Sequence, residues 1–173
     1  MMKINILASD ENVGTAIPFT FTALADEIDA VHQSYTIEGP VEIKGSVMNT
    51  GRVYRVEGML SYKKAFQCDR CLEDFVQQHQ QSFTEDYKRG TEEETDDADE
   101  EQDVSYFDGD VIDIADLIRD TILVAQPLNN ICSPACRGLC MVCGANLNQS
   151  ECGCNREITD PRLAVLQQLL NKK

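Results

Sequence analysis

VYRVEGMLSYKKAFQCDRC, residues 53–71, decides the architecture. From Val53 to Ala65 apolar and polar side chains tend to alternate, the period of a strand with one buried face. The run then ends in a C-x-x-C turn, so the longest strand delivers two thiols, Cys68 and Cys71, to one place. Upstream, Lys3 to Leu7, Ala16 to Leu24, Val31 to Glu38 and Val41 to Val47 show the same alternation. Gly39-Pro40 reads as a break between two of these runs, and Asn49-Thr50-Gly51 as the turn into the strand at Val53. Downstream, Phe75 to Tyr87 reads as another strand with a polar face.

The stretch TEEETDDADEEQD, residues 91–103, holds nine acids and no base, which is more than half of the formal net charge of −15. It reads as a solvated loop, with a tether for a basic partner as the sharper alternative. Beyond it the period lengthens. Ile114, Leu117, Ile118, Thr121, Ile122 and Ala125 recur at helical spacing, with Pro127 just past the end, and predict a helix over 113–125 that covers the strands. Near the C-terminus Asp160, Pro161, Leu163, Leu166, Leu169 and Leu170 predict a second helix. The expected class is α+β: a strand-rich antiparallel sheet or partly open barrel, covered by one or two helices, with a C-terminal cysteine-rich zinc-binding tail. The expected division is a strand-rich domain over 1–131 and the cysteine tail with its helix over 132–173, packed on the first.

A chain of 173 residues can bury a core without disulfides in its place. No apolar run approaches the ~20 residues of a membrane helix, and the start MMKINILASDENVG lacks an export signal. A cytoplasmic location is the expectation. In a reducing compartment clustered cysteines bind metal or do redox work more often than they form disulfides. The acidic balance suits basic partners and disfavours sequence-blind contact with nucleic acid.

The remaining six cysteines lie in CSPACRGLCMVCGANLNQSECGC, residues 132–154. Cys140, Cys143, Cys152 and Cys154 form a compact C-x2-C-x8-C-x-C set that one short hairpin can satisfy. Cys132 and Cys136 are left to join Cys68 and Cys71, giving two zinc ions; one zinc with spare structural thiols is the competing division. Four thiolates leave no open coordination position and imply a structural role. The spacing of Cys136, Cys140 and Cys143 also matches the cluster motif of radical iron–sulfur enzymes, but no repeated strand-helix units accompany it. A dithiol redox site at Cys68 and Cys71 is disfavoured by Asp69, Glu73 and Asp74, which raise a thiol pKa. Only His32 and His79 are available as base for a cysteine nucleophile, and neither is near a thiol in sequence. No phosphate loop, serine elbow or H-E-x-x-H element is present, and neither an enzyme nor a small-molecule substrate is expected.

CDRCLEDF, QPLNNICSPACRGLCMVCGANLNQSECGC and DPRLAVLQQL, taken in order, closely resemble the YceD family, the large ribosomal RNA subunit accumulation proteins of bacteria and plastids. The resemblance implies a cytoplasmic, non-enzymatic factor needed for accumulation of large-subunit ribosomal RNA. Its implied partners are a basic large-subunit ribosomal protein, precursor rRNA, or both. For direct RNA contact the candidate patch is Arg52, Arg55, Lys63, Lys64 and Arg70, with Tyr54, Tyr62 and Phe66 as stacking rings between them. A zinc-binding or redox-responsive regulator unrelated to ribosomes is the alternative reading.

Overall fold

A computed structural model describes residues 2–30, 35–90 and 104–155. The expected acidic loop 91–103, the expected helix following Asp160, His32 and the start of the expected strand at Val31 lie outside the described residues. The chain divides into two compact units, one made of Met1–Phe66 and Phe75–Leu128, the other of Gln67–Asp74 and Asn129–Lys173.

The first unit is built on an open sheet of five strands in the order β2 (Ala16–Ala23), β3 (Thr36–Asn49), β4 (Tyr54–Gln67), β5 (Asp74–Arg89) and β6 (Val104–Phe107). β2, β3 and β4 pair antiparallel, whereas β6 runs parallel to β5, so the sheet is mixed. Its inward face follows the period of two: Val41, Ile43 and Val47 on β3, then Val56, Leu60, Tyr62 and Phe66 on β4, are all buried.

Gly39-Pro40 does not end a strand. β3 runs through it with a register shift between Glu38, opposite Lys63, and Glu42, opposite Ser61. The excess on β3 is an even number of residues, so Ile37 and Val41 on either side of the bulge keep the same buried face. Gly39 takes φ +74 there, and Pro40 needs no ladder donor.

At the middle of the β3–β4 pair Gly45 faces Gly58. A Cβ on Gly45 would meet the Phe19 ring at 2.7 Å, and one on Gly58 would meet the Phe83 ring at 2.7 Å. The two rings therefore fill the space that side chains on the glycine pair would have taken.

A short antiparallel ribbon, β1 (Lys3–Asn5) with β7 (Val111–Asp113), pairs Ile4 with Ile112, both buried. β1 stops earlier than expected because the Asn5 side chain accepts the N–H of Leu7 at 3.0 Å and opens the short helix α1 (Leu7–Glu11). β7 leads into helix α2 (Ala115–Val124), which buries Ile118 and Ile122. Each such side chain contributes about 1.5 to 3 kcal/mol of burial energy. No helix among the described residues is long and apolar enough to cross a membrane.

The described residues of the second unit have almost no regular structure. Among them an isolated bridge joins Leu139 and Asn146, and Leu147 is buried beside it.

Candidate metal centres

Two C-x-x-C turns share one backbone design. In the first, the N–H of Cys68 donates to Glu73 O (2.9 Å) and that of Leu72 to Cys68 O (2.8 Å). In the second, Cys140 N–H donates to Ala145 O (2.8 Å) and Gly144 N–H to Cys140 O (2.8 Å). Each turn closes on a left-handed residue, Leu72 at φ 58 and Gly144 at φ 74. This tight reversal points both sulfurs and several main-chain amides to one side.

The sulfurs of Cys68, Cys71, Cys132 and Cys136 lie within 4.8 Å of one another, and those of Cys140, Cys143, Cys152 and Cys154 form a second such group. In the first quartet Cys68 Sγ is 3.9 Å from Cys136 Sγ, and Cys71 Sγ is 3.7 Å from Cys132 Sγ. A disulfide would bring sulfurs to about 2.05 Å. A tetrahedral ion with bonds of ~2.3 Å holds its sulfurs about 3.8 Å apart. All eight cysteines are free thiols, and the donor sets fit a borderline-soft, tetrahedral metal ion.

The surrounding groups favour thiolates at chosen positions. The main-chain N–H of Cys132, 3.4 Å from Cys68 Sγ, leads the causes that pull the Cys68 thiol down to about 6. Amides of Cys143 and Val142 bring Cys140 to about 6. The side-chain amide of Asn148 donates to Cys136 Sγ at 3.3 Å and lowers it too. Burial pushes Cys132 up to about 12, and the neighbouring Cys143 does the same to Cys154. Without a cation the later thiols hold their protons; a metal ion supplies the charge that lets all four ionise. The first quartet has three buried cysteines, whereas in the second Cys143 is exposed.

The supporting roles of several residues escaped sequence reasoning. Arg70 donates from its guanidinium to Cys136 O (3.1 Å), while its own main-chain oxygen accepts the N–H of Leu139 (2.9 Å). Asp69 accepts the N–H of Asn130 at 2.7 Å, and Asn148 accepts that of Arg137 at 2.7 Å. Gly138, at φ 72, passes so close to Arg70 that a Cβ would lie 2.9 Å from its main-chain oxygen. The Gly-Leu-Cys and Asn-Leu-Asn elements were visible in the sequence; that they bond to each other, Leu147 N–H to Gly138 O at 2.9 Å, was not.

The proposed RNA patch does not form as drawn. Lys64 is fully buried, on the inward face with Tyr62 and Phe66. Its ammonium donates to Ile122 O and Gln126 Oε1, both at 3.2 Å, and stands over the Tyr35 ring at 3.9 Å. Tyr54 turns its ring to Phe107 at 5.5 Å and donates its hydroxyl to Asp10, so none of the three rings offers an open stacking face. Arg55 is exposed but holds Asp86 through two bonds of 2.8 Å. Lys63 is exposed opposite Glu38, and Arg52 is exposed. Arg70 belongs to the second unit, bonded as above. Adjacent lysines on a strand must face opposite ways, which is why Lys63 and Lys64 cannot share one surface.

A family model described as large ribosomal RNA subunit accumulation protein YceD matches residues 56–170, a span that contains both quartets. The chain belongs to the YceD family. Among relatives of this family member, the large ribosomal RNA subunit accumulation protein YCED homolog 1, chloroplastic, of Arabidopsis thaliana is 47% identical over 49 residues, covering 28% of this chain and 15% of the relative. The protein of the same description from Zea mays is 52% identical over 44 residues, 25% of this chain and 15% of its own. An uncharacterized protein of Mycobacterium tuberculosis is 33% identical over 115 residues, 66% of this chain and 55% of the relative. The matches thus span only part of each relative's length. No solved structure matches the YceD chain.

Proposed function

We propose that this chain is a non-enzymatic ribosome-biogenesis factor that supports accumulation of large-subunit ribosomal RNA by holding a basic large-subunit ribosomal protein. Two structural zinc ions complete its second unit. Membership of the YceD family over residues 56–170 is the observation that carries the reading. The formal charge of −15 supports a basic protein as partner, since lysines and arginines that would otherwise attach to RNA indiscriminately are held by carboxylates. Direct contact with precursor rRNA through the β4 cations is the weaker mechanism, because Lys64 is buried and Arg55 is committed to Asp86. Four-thiolate centres leave no open position for a substrate, which supports scaffolding over catalysis.

The test is capture of tagged, zinc-loaded protein from cells under mild salt, combined with metal analysis. The expected result is a basic large-subunit protein released as salt rises, with about two zinc ions per chain and no colour. Retention of rRNA without any ribosomal protein, or a brown preparation that absorbs visible light, overturns it.

A further inference from the structure

The two sides of the five-stranded sheet are protected unequally. β2, at one edge, carries Pro18 as its third residue, one without an N–H to donate to a ladder. At the other side β5 is 16 residues long, but β6 is only 4 and covers Asp86 to Arg89 alone. Among the described residues no strand pairs with the outer edge of β5 before Asp86. That stretch, Phe75 to Thr84, contains no Lys, Arg, Asp, Glu or Pro. Sheets normally guard a free edge with such residues, so a long edge without them is suited to receiving a strand.

Alongside it lies a groove of about 530 Å³ between β5 and α2. Ser82 and Phe83 form one wall, and Leu117, Asp120 and Val124 part of the other. Consecutive β5 residues line it, so the groove follows the strand's edge rather than one face. Val124 is 86% exposed in it. The helix side keeps an excess of carboxylate: Asp116 and Asp120 share a single base, Arg119, at 2.9 and 3.1 Å.

We propose that an extended, basic protein segment adds to this edge as a further strand, setting an apolar side chain against Phe83 and Val124 and a lysine or arginine against Asp120. The proposal rests on the reading that the partner is a basic ribosomal protein, and it names where and how that partner docks. Main-chain hydrogen bonds supply the affinity of such an added strand, and the groove supplies its selectivity. A second copy of this chain is disfavoured as occupant by the −15 charge that each copy carries.

The experiment uses the full zinc-loaded chain and the protein fraction stripped by salt from large ribosomal subunits as the probe. Wild type, Val124→Lys and Asp120→Lys are compared by retention of basic proteins, amide exchange and sedimentation. Both substitutions sit on exposed positions of α2, and circular dichroism checks that the fold is kept. The expected result is retention by wild type, slowed exchange at residues 81–84 in the complex, and retention reduced about tenfold or more by either substitution. Equal retention by all three proteins, or protection confined elsewhere, overturns the groove while leaving the basic-partner reading intact. No retention by wild type overturns that reading and this proposal with it. A wild-type dimer that Val124→Lys abolishes would make a second copy the occupant and also overturn the proposal.

Discussion

Lys64 Nζ lies 3.2 Å from the main-chain oxygen of Ile122, so a lysine of β4 closes the C-terminal end of α2 from within the core. The last carbonyls of a helix lack intrahelical donors and carry its negative dipole end, and a buried ammonium answers both. Tyr35 adds its ring face at 3.9 Å. Burial nevertheless pulls the Lys64 ammonium from 10.5 down to about 8. Between those values the unfolded chain holds a proton that the folded one has released, so this group's contribution to stability rises as pH rises through that window. A side-chain NMR titration should find Lys64 near 8; a normal lysine value there would contradict its burial.

Lys63 and Lys64 should respond very unequally to charge reversal. Lys64→Glu places a carboxylate against the Ile122 carbonyl in a dry core and should cost more than about 3 kcal/mol. Lys63→Glu meets Glu38 across the ladder at an exposed position and should cost less than about 1 kcal/mol. Urea unfolding of the two variants measures both.

Gly45 and Gly58 should tolerate no side chain. A Cβ at either position would collide with a main-chain oxygen, Glu57 O or Lys44 O, in addition to the Phe19 or Phe83 ring. Alanine at either glycine should cost at least about 1 to 3 kcal/mol as overpacking, visible as a lowered thermal midpoint.

Gly138 and Gly144 of the second unit should differ in the same test. Gly144 has open space around it, so alanine there meets only the left-handed backbone penalty of about 1 to 2 kcal/mol. Gly138→Ala adds a collision at 2.9 Å with Arg70 O and should weaken metal retention more. Leu72 carries the backbone penalty already at φ 58, so Leu72→Gly should be neutral or mildly stabilising. Chelator competition on the three variants ranks them.

Metal removal should unfold the second unit and leave the sheet signal in circular dichroism. A four-thiolate zinc site contributes roughly 10 to 16 kcal/mol in small peptides. Binding to the metal-free chain should release protons from Cys71, Cys132, Cys152 and Cys154, whose thiols are all held above their ordinary value, so affinity should fall as pH falls. With Cys143 exposed, the second quartet should lose its ion to a chelator before the first. Zinc-release kinetics with Cys68→Ser and Cys143→Ser as single-site references test that order.

From sequence alone came what is local: the long strands from their alternation, α2 from its 3.6 period, and the hairpin set of four thiols from spacing. β6 and β7, of 4 and 3 residues, are too short to show a period and escaped notice. The bulge at Gly39-Pro40 was read as a break because both begin with the same residues, and only the pairing with β4 distinguishes them. Tertiary structure alone decided which of two adjacent lysines turned inward, and it brought together the sulfurs of Cys68, Cys71, Cys132 and Cys136, which the sequence grouped only by elimination. The alternation names two faces without saying which meets the core, and nothing periodic connects Cys68 to Cys136 across 68 positions; a helix carbonyl needing a donor and a turn of left-handed Leu72 make those choices.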